Sequence, residues 1–291
     1  MIKRLLLCSL ALLILSSCAN KAAENNETED LNSIKITPVE YATKTPNVVY
    51  AKEDSGDMHL SYRFKYEYDF PTEGPQALLD SVRHFFAVEV IKSISRNAQE
   101  NVAPQVFALD TLFSDPQAYL NAIGKIEEET VKKKVFTGVE QSAWMKKTYE
   151  DSTLVTYVFQ EYFFEGKGGS YNYIKGLTFL KENGTPLDWN IFADRDLTQL
   201  LKPYLIKYFK EFYMTSFNEY DLYSSCYKDS VNRQRIASPK TMPYITDEGF
   251  NFTYKANEIV SELYGVPYFN IPVDSVKKYL TPEAQKFFQK N

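Results

Sequence analysis

The chain is poor in the side chains from which most catalytic centres are assembled. It has 2 His and 3 Cys in 291 residues. Cys–His and Ser–His–Asp sites therefore have few candidates, and neither His59 nor His84 falls in a zinc-ligand spacing. The Gly-x-Ser-x-Gly elbow and the phosphate-binding P-loop are both absent. Asp54-Ser55-Gly56-Asp57 lacks the bidentate acid of a calcium loop and reads as a turn. No cofactor and no metal are expected. Positive charge is short as well: 33 Lys+Arg stand against 38 Asp+Glu. Such a chain has no footing for nucleic acid, which binds by neutralising its phosphates.

Long apolar runs are also missing, with one exception at the start. Met1–Ser17 carries Lys3-Arg4 and then an apolar stretch from Leu5 to Leu15. A membrane span needs about 20 residues, so this stretch reads as the core of a signal peptide. It closes on Leu15-Ser16-Ser17-Cys18, which resembles the bacterial lipobox. That resemblance implies cleavage before Cys18 and lipidation of its sulfur. The folded part then stands outside the cytoplasm, anchored to a membrane of the cell envelope. Cys8 leaves with the leader and Cys18 takes the lipid. Cys226 is left alone, without a partner for a disulfide, and reads as an inert buried side chain. Loss of Lys3 and Arg4 lowers Lys+Arg from 33 to 31 against 38 acids, a formal −7. Such a charge favours a basic protein partner at low ionic strength.

What the chain does hold is aromatic. Phe, Tyr and Trp make up 15%, with 22 Tyr and 20 Phe against 2 Trp. Tyrosine joins an apolar ring to a polar tip, which suits half-buried sheets and binding surfaces alike. Ala19–Asp30 has no large apolar residue and reads as a flexible tether, with order beginning between Ile34 and Val48. The expected organisation is a signal peptide over 1–17, a lipidated cysteine and tether over 18–50, a strand–helix module over 51–150 and a C-terminal domain over 151–291.

Along the chain, Leu60, Tyr62, Phe64, Tyr66 and Tyr68 alternate with polar residues, so 57–70 reads as a strand with one wet face, ended by Pro71. Apolar residues from Leu78 to Ile91 recur near 3.6, predicting a helix over Gln76–Ser95. Asp115-Pro116 is a helix start. Glu127–Glu129 and Lys132–Lys134 further along predict a solvated face. Leu154–Phe164 and Tyr171–Leu180 are dense in β-formers and read as the two strands of a central antiparallel hairpin. Asn183-Gly184 behind them favours a type I′ turn. Thr198–Phe217 reads as a helix with Pro203 in its first turn or at a kink. Phe250–Tyr254 and Tyr268–Ile271 read as strands, and 273–288 as a terminal helix or a pair. The fold class is α+β: an antiparallel sheet with helices on one face, preceded by a smaller strand–helix module.

The C-terminal half resembles a domain of unknown function of extracytoplasmic bacterial proteins. It is shared by RsiV-type lysozyme-sensing anti-sigma factors, PdaC-type peptidoglycan deacetylases and many lipoproteins. Three stretches carry the resemblance: Gly168-Gly169 with Leu177-Thr178-Phe179; Pro186-Leu187-Asp188 leading to Ile191-Phe192; and Phe250–Tyr254 with Glu258-Ile259, Gly265 and Phe269–Pro272. Two loops depart from it. Gly168-Gly169-Ser170-Tyr171-Asn172 stands where the family often has Gly-Gly-Ala-His-Gly, and Ala256-Asn257 where it often has Pro-Tyr.

The expected function is that of a non-catalytic envelope lipoprotein. Its ligand is a lysozyme-like or other envelope protein, or a peptidoglycan glycan. The alternative is a peptidoglycan hydrolase whose carboxylate pair, set by space rather than by sequence, lies among the 38 acids. The candidate ligand-binding residues are Gly168, Gly169, Ser170, Tyr171, Tyr173, Asn257 and Tyr264. For the glycine-rich loop two readings stand: a wide hairpin turn, or bare amides that bond a ligand beside Tyr171 and Tyr173. For Tyr254, Tyr264 and Tyr268, core packing is expected.

Overall fold

The computed structural model describes residues 33–43, 49–53, 56–60, 62–98, 109–134, 138–165, 170–212, 218, 221–222, 235–260 and 265–288. Cys18, Gly168, Gly169, Tyr264 and Cys226 lie outside them. Five strands form the main sheet: β1 (Lys35–Ala42), β4 (Tyr62–Glu73), β5 (Val139–Glu150), β6 (Leu154–Glu165) and β7 (Ser170–Leu180), in the order β1-β4-β5-β6-β7. β2 (Val49–Glu53) and β3 (Gly56–Leu60) pair separately. The stretch expected as one strand is thus two, β3 and β4. The buried side of β4 is the expected one: Tyr62, Phe64, Tyr66 and Tyr68 are buried, while Arg63 and Lys65 are exposed.

β6 and β7 form the expected antiparallel hairpin, in unbroken register from Leu154↔Leu180 to Phe164↔Ser170. The sheet is antiparallel throughout except between β4 and β5, which run parallel. A parallel pair needs a long crossover. Here it is made by α1 (Gln76–Ala98), α2 (Leu109–Ser114) and α3 (Pro116–Lys134). Pro71 does not end β4, which runs on to Glu73. Pairing with β5 stops at Tyr68, so Pro71 faces only β1 and its missing N–H breaks no bond to β5.

α1 and α3 cover one face of this sheet. Leu78, Val82, Phe86 and Val90 of α1, with Leu120 and Ile123 of α3, pack on Phe64, Tyr68, Tyr157 and Phe159. Asp115 caps α3 as expected, accepting from Ala118 N at 2.9 Å. The charge run on α3 is not uniformly solvated, since Glu127 is 2% exposed. It lies one turn beyond Ile123 on the same face and accepts from the Tyr66 hydroxyl.

The other face carries a second layer. β8 (Tyr244–Thr246), β9 (Gly249–Thr253) and β10 (Tyr268–Ile271) form an antiparallel sheet in the order β10-β9-β8. It packs with α4 (Thr198–Phe212), α5 (Val273–Lys277) and α6 (Pro282–Gln285) around Leu201, Leu205, Phe250 and Phe252. Asp196 caps α4, accepting from Thr198 N at 3.1 Å, and pairs with Arg235 at 2.9 Å. Bonds from Thr198 and the Arg235 charge hold its carboxyl below the usual range. Pro203 lies in the second turn of α4, which continues through it. Thr178 joins the layers: its Oγ1 lies 2.8 Å from Thr156 Oγ1 and accepts from Ile245 N at 2.9 Å.

The Asn183-Gly184 turn is not type I′, because Gly184 has φ 72° and Asn183 is not in the left-handed region. The Asn183 side chain instead accepts from Thr185 N at 2.9 Å. The chain returns through the bridge Phe179↔Pro186 and the bond from Leu187 N to Thr178 O.

Candidate functional site: a tyrosine-lined groove

β7 is an edge strand: among the described residues β6 is the only strand paired with it, and its other side is bonded only at its end, by the returning chain at Thr185–Leu187. Along the open side of its first residues runs a groove of about 530 Å³. Tyr171, Asn172, Tyr173 and Ile174 line one wall. Thr253–Ala256, Val266 and Tyr268 line the other, with Tyr208 and Thr241 completing it. The volume lies in the range of small-molecule clefts. Two stretches far apart in sequence thus meet, each carried by a different sheet and brought together by the packing of the two layers.

Each wall is fixed from behind. The Tyr173 hydroxyl donates to Glu89 at 3.2 Å, and Lys175 Nζ pairs with the same carboxylate at 2.8 Å while lying 5.5 Å from the Phe85 ring centre. The rings of Tyr171 and Tyr173 lie nearly parallel, 14° apart with centroids at 6.2 Å. Opposite, Tyr208 donates to Val266 O at 3.2 Å and Tyr254 to Ala237 O at 2.9 Å. Phe269 stacks on Phe252 and Tyr204, which holds β10 in place. Glu258 accepts from Lys255 N at 2.6 Å and closes the turn in which Asn257 sits at φ 60°. Asn is among the few residues that adopt this backbone readily, which accounts for its place there.

The candidate residues distribute as follows. Tyr171, 39% exposed, and Tyr173 line the groove. Ser170 opens β7 and is exposed beside it. Asn257 follows Ala256, at the end of the opposite wall. Tyr254 is buried, as expected. Tyr268 is not: at 55% exposed it projects at the mouth. A four-residue strand gives too little periodicity to reveal that. Nor did any local pattern point to Tyr208, Thr241 or Val266, which enter through tertiary packing alone.

Among the described residues, Lys255 is the only charged one that lines the groove. A second cavity, of about 430 Å³, lies between α1 and β7, lined by Asp80, His84, Phe85, Lys175, Leu177 and Phe179 among others. Asp80 is the only acid among its described lining residues. Two other carboxyls, Glu127 and Glu161, are near enough that the charge of Glu161 adds to burial in raising Glu127. Both are buried in the core under α1 and α3 and line neither cavity. The Ser93 hydroxyl donates to Glu161 at 2.6 Å, and Gln141 donates to it at 3.1 Å.

No family profile matches the chain, and no curated protein matches it in sequence. Solved structures do. A DUF3298 family member from Bacteroides fragilis is 14% identical, covering 89% of this chain and 100% of its own, with a TM-score of 0.48. A DUF3298 family protein from Pseudomonas aeruginosa is 12% identical, covering 87% and 98%, with a TM-score of 0.46. Both of these are bacterial proteins of a family defined by a domain of unknown function.

Proposed function

We propose that this protein is a non-catalytic binding lipoprotein of the bacterial cell envelope and that the tyrosine-lined groove is its ligand site. The observation that carries the reading is the convergence of Tyr171–Ile174 with Thr253–Ala256 and Tyr268 around one groove. Rigid aromatic rings offer contact area at low entropic cost. The lipobox-like Leu15–Cys18 supports the anchor, and the resemblance to RsiV- and PdaC-type domains supports an envelope role.

The chemistry of the lining sorts the ligands. A strongly basic partner such as lysozyme calls for acids, and the lining offers a lysine. A segment of another envelope protein suits it better. A wall glycan is the second reading, favoured by the near-parallel Tyr171 and Tyr173 rings, on which a sugar could stack. A glycosidase needs two carboxylates facing one cavity, and among the described residues neither cavity is lined by two.

The test is equilibrium titration of the purified protein with lysozyme, with muropeptides and with fractionated envelope proteins, alongside Tyr171→Ala and Tyr268→Ala. The expected result is saturable binding to a protein or glycan fraction, weakened at least tenfold by either substitution. Binding that both variants keep in full would move the site elsewhere.

A further inference from the structure

We propose that the groove takes an extended peptide segment as a sixth strand on β7, with an acidic side chain of that segment set against Lys255. The inference rests on the groove being the ligand site and names the kind of partner that enters it.

The main-chain geometry carries it. Leu187 N bonds to Thr178 O, and Leu180 N bonds to Thr185 O. The backbone groups of Thr178 and Leu180 therefore point away from β6. Register along β6–β7 is unbroken, and backbone direction alternates with every residue. The N–H and C=O groups of Gly176, Ile174 and Asn172 consequently point outward too. Beyond the Phe179↔Pro186 bridge, no strand of the described residues covers that edge. Asn172 and Ile174 are the residues whose outward groups face the groove.

An uncovered strand edge at a surface is a template for pairing, and natural proteins usually blunt it with charge, proline or a covering element. Tyr171–Ile174 holds neither charge nor proline, and no strand of the described residues covers it. The edge instead faces a cleft with a second wall. A peptide strand lying there bonds the two donors and two acceptors of Asn172 and Ile174, and its side chains alternate between the two sides of the sheet. Lys255 fixes the charge preference, because among the described residues no carboxylate pairs with its ammonium group.

The test uses the purified full-length protein and linear heptapeptides selected on it from a random library. The selected peptides are remeasured with single backbone N-methyl groups at each position and against Ile174→Pro, Lys255→Ala, Tyr171→Ala and Tyr268→Ala. Ile174→Pro deletes one outward N–H and no bond to β6, and proline is tolerated at an edge position. Thermal melts establish that it folds, and the N-methyl scan decides the matter should it not. The expected result is a tenfold or greater loss on N-methylation at alternate positions, a comparable loss with Ile174→Pro, and acidic peptides weakened by Lys255→Ala. Peptides weakened by the tyrosine variants but indifferent to N-methylation and to Ile174→Pro overturn strand pairing and leave the groove standing. Peptides indifferent to the tyrosine variants overturn the groove itself. A selection that yields no peptide, or chitotetraose binding that Ile174→Pro leaves intact, overturns the proposal, the latter in favour of a glycan.

Discussion

A side-chain carbon placed on Gly176 would lie 2.2 Å from the ring of Tyr244. Gly176 is in β7 and Tyr244 opens β8, so the second layer rests on the first at a spot where only hydrogen fits. Burial, reinforced by Tyr268, pushes the Tyr244 hydroxyl up to about 12. Gly176→Ala should therefore overpack the junction and cost about 1–3 kcal/mol, the usual range for an added core methyl. Urea denaturation checks it. Wild-type stability in the variant would mean that Tyr244 moves aside freely and that the layers are not seated there.

Glu127 predicts a pH dependence. Burial first, and then the charge of Glu161, raise its pKa well above that of an unfolded chain. The folded state thus holds a proton that the unfolded state releases. The stability this contributes is present below the unfolded value and falls as pH rises toward the folded one. Glu127→Gln has no proton to lose. Its stability relative to wild type should rise between pH 5 and pH 8, read by urea denaturation at both. A difference that stays constant with pH contradicts the assignment.

Lys181 is 2% exposed and joins the sheet to the start of the fold. It pairs with Glu150 at 3.1 Å and donates to Asp151 O at 2.9 Å. Glu150 also holds Lys147 at 2.5 Å and accepts from Ile34 N at 3.3 Å. Burial pulls the Glu150 carboxyl upward, and its bonds to Lys147, Ser33 and Lys181 outweigh that, leaving it below the usual range. Lys181→Ala should cost about 3 kcal/mol, the lower end for breaking a buried pair, because Lys147 stays on Glu150. Since the Glu150 pKa is lowered, its share of stability is present above the unfolded value and lost as pH falls through the folded one. The deficit of Lys181→Ala should therefore shrink in acid. An equal deficit at pH 7 and pH 3 would falsify that account.

The lipobox-like stretch Leu15–Cys18 makes a separate prediction. Cys18→Ala should abolish labelling by an alkyne fatty acid in cells and release the chain or leave its precursor. Equal label on both proteins rules lipidation out.

How much of this was legible in the sequence followed the range of the interactions. The alternation of Tyr62–Tyr68, the β6–β7 hairpin and the cap at Asp115 are local, and the residues that make them are neighbours in the chain. The parallel β4–β5 pair was not legible, because alternation marks a strand and says nothing of its partner. Glu127 misled because a run of charges hides which member continues the apolar stripe. At the groove, Tyr171 and Tyr173 were within reach through the glycine-rich loop beside them, and Asn257 through the family resemblance of its loop. Tyr268, Tyr208 and Val266 were not, since they join the site only through the packing of β10 and α4.

The most direct test of the groove is photo-crosslinking in growing cells. p-Benzoylphenylalanine is placed at Tyr268, at the groove mouth, and separately at Thr37, exposed on β1 at the opposite edge of the main sheet. On irradiation, the Tyr268 variant should yield a discrete covalent adduct that Tyr171→Ala diminishes, and the Thr37 variant should not. An adduct of equal yield from both positions, or one from Tyr268 that survives Tyr171→Ala unchanged, would contradict the groove as the place where this protein meets its ligand.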